Sequence, residues 1–130
     1  MTVSGLLEEA SQWAQVAEQS LPRGYEGFYA PGVDLIVLDS RLTPVQRRCV
    51  LAHEISHARH ADGAGHEDKW VERRANQEAA LMLIDPLEYA YAETIYEGNV
   101  MGMARELNVL PWVIMAYRER LHDDPNLAIL

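Results

Sequence analysis

The stretch Thr43-Pro44-Val45-Gln46-Arg47-Arg48-Cys49-Val50-Leu51-Ala52-His53-Glu54-Ile55-Ser56-His57 opens like a helix and carries two histidines one turn apart. Threonine followed by proline is an N-cap and a first helical residue that needs no hydrogen-bond partner. The pattern predicts a helix from there to about Ala61, ended by the loop Asp62-Gly63-Ala64-Gly65. On such a helix, residues four apart share a face, so the imidazoles of His53 and His57 can converge on one metal ion. Glu54 sits beside the first of them, where a carboxylate can take the proton of a water rather than bind the ion. Zinc suits this division of labour, because it brings the pKa of water toward neutrality and polarises a carbonyl. Two histidines and a glutamate in this order arise by chance in on the order of one chain in a few hundred of this size. A solvent-facing helix that merely carries histidines is the bland alternative. Val50, Leu51 and Ala52 weigh against it, since they bury this part of the helix, and polar groups beside a buried stretch need partners.

Upstream, Tyr25 to Ala30, the turn signal Pro31-Gly32 and the β-branched run Val33 to Leu38 predict a hairpin or two adjacent strands. Before them, Leu6, Leu7, Ala10, Trp13, Ala14 and Ala17 repeat at helical spacing, which predicts one helix from Ser4 to Ser20, stopped by Pro22 and Gly24. Downstream, helices are expected over Glu67–Ile84, Pro86–Tyr96, Val100–Leu107 and Pro111–His122. No repeat or linker interrupts the pattern. The expectation is a single α+β domain over residues 1–130, mostly helical, with one small sheet.

The 130 residues suit one core, and 48% of them are hydrophobic. A formal net charge of −9 argues against direct nucleic-acid binding, which rests on clustered lysine and arginine. Of the 11 basic residues only Lys69 is a lysine, a bias that fits a GC-rich bacterial or phage genome. Met1 to Leu21 lacks the order of a signal peptide, and no apolar run approaches the roughly 18–20 residues of a membrane span. Cys49 is the only cysteine. A cytoplasmic location, with no membrane partner, is expected.

A catalytic zinc takes three protein ligands and keeps one position open. His60, His66, Glu67, Asp68, Glu72 and Glu78 are the downstream candidates for the third. His60 follows His57 by three residues on the same helix, with no glycine turn to swing the chain back. His66, in the loop, remains open. Glu72 is the better choice: it lies inside the next helix, with Asn76 one turn on as a polar partner able to bond a ligand histidine, and the small Ala75 lets the two helices approach. On a solvated face Glu72 would instead pair with Lys69, Arg73 or Arg74.

Val50 to His57, then Glu72-Arg73-Arg74-Ala75-Asn76-Gln77-Glu78-Ala79-Ala80, then Leu83-Ile84-Asp85-Pro86 together resemble the ImmA/IrrE metallopeptidases. The likeness extends over roughly residues 24 to 121, including Met103 to Val109, although only the two central segments are specific. It implies a zincin-like fold with a small hairpin or sheet packed on the active-site helix. It also implies zinc at His53, His57 and Glu72, and Glu54 as catalytic base of an endopeptidase. The implied substrate is a DNA-binding regulator such as a repressor. Glu78 departs from the pattern, standing where the family often has an aromatic residue in the cleft wall.

Several expectations follow. If Val33–Leu38 is a sheet edge near the metal, an extended peptide can pair with it. Tyr25, Tyr29, Tyr89, Tyr91 and Tyr96 are the candidates for stabilising an oxyanion. Cys49 reads as buried and inert, and Trp13, Trp70 and Trp112 as core or cleft packing. Met103 to Tyr117 has the outline of a helix-turn-helix, but its many glutamates favour packing over DNA reading. The rival function is a non-catalytic, metal-stabilised protein binder (an antirepressor) with its site closed by a further ligand such as His66. A helical interaction module with no metal is the remaining alternative.

Overall fold

Helix α2, Pro44–Arg59, is the element on which the rest is assembled. The structure is a computed structural model and describes residues 2–63 and 68–127. Thr43 Oγ1 accepts from the Gln46 N–H while the Gln46 side chain accepts from the Thr43 N–H, so two otherwise orphaned donors are satisfied reciprocally. Cys49 through Ala52 and Glu54 through Ala58 are buried, so nearly the whole central part of the helix is covered.

Before α2 come α1 (Val3–Ala10), β1 (Gln15–Gln19), β2 (Gly27–Ala30) and β3 (Leu35–Asp39). After it come α3 (Lys69–Leu83), α4 (Pro86–Tyr96), α5 (Val100–Leu107), α6 (Pro111–Asp123) and a 3₁₀ turn, Pro125–Leu127. The fold is mostly helical, with a small mixed sheet packed on α2. Ile36, Val37 and Leu38 of β3 are buried, as are Leu51 and Ile55 of α2. Helix α3 packs against both α2 and α6, and its small buried residues Ala75, Ala79 and Ala80 allow the close approach. Met103, Val113, Ile114 and Tyr117 of α5 and α6 are also buried, so this stretch packs into the core. Among the described residues, no helix is long and apolar enough to cross a membrane.

The first helix ends ten residues earlier than its periodicity predicts. Bonds from Gln12 N to Glu9 O and Trp13 N to Ala10 O turn the chain out of α1, and Gln15–Gln19 pairs in parallel with Leu35–Asp39. The partner is non-local, and its ladder overrides a helical pattern in a segment whose polar residues suit an edge strand. A second correction concerns the edge. The sheet order is β1-β3-β2, so Val33–Leu38 supplies the central strand and cannot accept a peptide. The edge on the α2 side belongs to β2. Its register with β3 pairs Gly27 with Leu38 and Tyr29 with Ile36. Because Asp39 N bonds Glu26 O, alternate residues Phe28 and Ala30 also turn their amides toward β3. Gly27 and Tyr29 therefore turn theirs outward.

Candidate metal centre

The i, i+4 spacing on α2 and one residue of α3 build a compact donor triangle. His53 Nε2 and His57 Nε2 lie 3.1 Å apart. Glu72 places one oxygen 2.9 Å from His53 Nε2 and the other 3.1 Å from His57 Nε2. Zinc bonds of about 2.0–2.1 Å in tetrahedral geometry require donors about 3.3 Å apart, so a few tenths of an ångström of spreading would admit the ion. Two imidazoles and one carboxylate are also a donor set that suits zinc. The cluster fits a zinc site. Its back is closed, with His57 buried, while His53 opens on a cleft and Glu72 is partly exposed.

Ala61 explains how His57 is oriented. Its backbone adopts φ 49°, a left-handed turn uncommon for a residue with a Cβ, and the Asp62 N–H then donates to His57 O. The Asp62 carboxylate is thereby brought 2.9 Å from His57 Nδ1, and the Arg74 guanidinium pairs with the same oxygen. A carboxylate at Nδ1 fixes the proton there and leaves the Nε2 lone pair toward the cluster. Sequence reasoning missed Asp62. Its signal was an aspartate just past the end of the histidine helix, which reads equally well as a loop residue. Asn76, expected as the polar partner, borders the cleft beside His53 and Glu54.

Glu54 is 2% exposed, and its Oε1 is buried without a hydrogen-bond partner. Burial, and then the negative charge of Glu72, push its pKa up to about 8. This is a carboxyl able to hold or release a proton near neutrality.

The cleft measures ≈ 500 Å³ and is lined by Gly24 through Gly27, Val50, His53, Glu54, Asn76 and Trp112. Trp112 meets His53 edge to face, with ring centroids 6.1 Å apart, so it is a cleft wall. Gly27 is required where it stands: a Cβ there would meet Val50 Cγ1 at 2.9 Å and Val37 O at 3.0 Å. Of the five tyrosines considered for the oxyanion, Tyr25 lines the cleft, Tyr29 donates to Asp34, Tyr89 packs on Tyr117, Tyr96 donates to Glu106, and Tyr91 is exposed on α4.

Among the described residues, the other ligand candidates are engaged elsewhere. Asp68 caps α3 through the Trp70 and Val71 amides. Glu78 accepts from Ser56 Oγ at 2.6 Å and lies 3.0 Å from His60 Nε2, fastening α3 to the end of α2 instead of forming the cleft wall. Those two partners outweigh burial and hold its pKa below the usual carboxylate range. His66 and Glu67 lie outside the described residues. Cys49 is fully buried, and Trp70 is exposed rather than packed in the core.

The profile of the IrrE N-terminal-like domain, peptidase M78, matches residues 9–109. The chain belongs to this metallopeptidase family. A Mycobacterium tuberculosis transcriptional regulator of known structure shares its fold, with a TM-score of 0.63 at 18% identity over 89% of this chain. The chain spans 41% of that regulator's length. No curated protein matches the sequence significantly.

Proposed function

We propose that this IrrE-family domain is a zinc endopeptidase of the cytoplasm that hydrolyses peptide bonds in a DNA-binding regulator, with His53, His57 and Glu72 as ligands. The observation that carries the reading is Glu54, a buried carboxylate with an unpartnered oxygen placed beside the donor triangle. A purely structural metal site has no use for that group, and leaving it unpaired costs stability.

When bound, zinc supplies the positive charge that polarises the scissile carbonyl and eases deprotonation of water. Glu54 takes the proton of the attacking water and returns it to the leaving amine. Asp62 holds His57 in the tautomer the site needs, and Asn76 acts beside it as a polar wall. The outward amides of Gly27 and Tyr29 pair with an extended substrate and lay its backbone along α2. Tyr25, the tyrosine that borders the cleft, donates to the oxyanion. The regulator context is supported by the family and by the fold shared with a transcriptional regulator.

The test is zinc-loaded protein incubated with DNA-binding regulators, with fragments identified by mass spectrometry, beside Glu54→Gln. Cleavage by the wild type and none by a zinc-retaining Glu54→Gln is the expected result. A regulator that is bound but left intact by the wild type would move the assignment to the antirepressor reading.

A further inference from the structure

Helix α4 is apolar on both sides. Its inner side buries Tyr89 and Ala92, with the Tyr89 ring 4.4 Å from that of Tyr117, and Tyr96 lies over Gly102. Its outer side carries Leu87, Tyr91 and Ile95, four residues apart and 67%, 62% and 53% exposed. A helix with two apolar faces belongs in surroundings that cover both of them. Among the described residues only the inner side is covered. The three side chains offer on the order of 400 Å² of contiguous apolar surface, the size at which a patch marks an interaction site.

The charge around the stripe says what covers it. From residue 75 to 104 there is no lysine or arginine, whereas Glu78, Asp85, Glu88, Glu93 and Glu97 are acidic. All of these but Glu78 are exposed. Arg118 reaches the C-terminal end of α4, but its guanidinium is taken up by Gly98 O and Met103 Sδ. A second copy of this face would oppose like charges, and the patch is about half the roughly 800 Å² per partner of a stable dimer. An anionic membrane would be repelled in the same way. We propose that the outer face of α4 docks an amphipathic helix whose apolar stripe is bordered by lysine or arginine, carried by the protein on which the cleft acts. Only the identity of the carrier rests on the peptidase reading. The leucine-type stripe at i, i+4, i+8 accepts a facing helix, and the glutamates set its charge.

The test uses the full chain, zinc-loaded and chelated, with fluorescent helical peptides of about five turns. One is a leucine/lysine amphipathic helix, one replaces its lysines by glutamate, and one replaces its leucines by serine. The leucine/lysine peptide is expected to bind with or without zinc, and at least tenfold more weakly to Leu87→Ser/Tyr91→Ser/Ile95→Ser. The other two peptides are expected not to bind. Equal binding to the variant would overturn the docking site. Binding of the glutamate peptide would overturn the choice of a basic partner, and self-association abolished by the triple substitution would replace it with a second copy. None of these outcomes depends on cleavage, so loss of the peptidase reading alone leaves the peptide result standing.

Discussion

Replacing Glu54, the proposed base, with glutamine is expected to make the metal-free protein more stable. In the folded chain Glu54 has its pKa pushed from 4.5 to about 8 by burial first and the Glu72 charge second. A carboxyl raised in this way holds its proton in the folded state at pH values where the unfolded chain has already released it. Stability therefore falls as pH rises from about 4.5 to about 8, at about 1.4 kcal/mol per unit for this one group. The full cost above that window is about 5 kcal/mol, and at pH 7 about 3 kcal/mol. Glutamine has the same shape and no proton to lose, so its cost does not change with pH. Urea unfolding of chelated wild type and Glu54→Gln between pH 5 and 9 should show two curves that diverge, the variant gaining as pH rises. With zinc bound, a nearby positive charge favours ionised Glu54 and the divergence should shrink. Parallel curves for the chelated proteins would refute the claim that this carboxyl is buried without compensation.

Four further outcomes are expected. Saturating zinc at a thousand times its dissociation constant should raise the melting temperature by about 10–15 °C, and EDTA should reverse the gain in a calorimetric scan. Asp62→Ala should weaken zinc binding about 10- to 100-fold in a competition with a chromophoric chelator, because His57 loses the partner at Nδ1. Gly27→Ala should keep zinc but lower kcat/KM at least tenfold, since the new methyl group meets Val50 and the Val37 carbonyl; Gly27→Ala/Val50→Ala should recover part of the loss. Asp39 is the acid-side group. Its burial is outweighed by the Leu21 N–H and the Arg41 guanidinium, so its pKa lies below the usual value. The stability it contributes is present above about pH 4 and lost as pH falls through the lowered pKa. Asp39→Asn should therefore show a shallower acid transition by circular dichroism than the wild type.

What could be read from the sequence follows the distance over which each feature is determined. Helix α2 was legible because its cap, its proline and its apolar run are neighbours in the chain, and the histidine pair rides on the same period. Glu72 was legible as a residue inside the next helix, where only the crossing of two adjacent helices had to be supplied. The strand Gln15–Gln19 was not, because its apolar positions satisfy a helical period as well as a strand's, and what decides between them is a parallel partner twenty residues away. The β-branched run Val33–Leu38 gives a strand but not its place in the sheet, so centre and edge could be exchanged. Asp62 depends on one left-handed residue, and Trp112 arrives at His53 from a helix 59 positions further along the chain. The result is a division within the site. The donor triangle rests on local periodicity, whereas the cleft walls come from the loop before β2 and from α6, which only the tertiary fold brings together. Substitutions at Tyr25, Gly27 and Trp112 should accordingly change which peptides are taken while leaving zinc in place, and those at His53, His57 and Glu72 should lose zinc whatever the peptide.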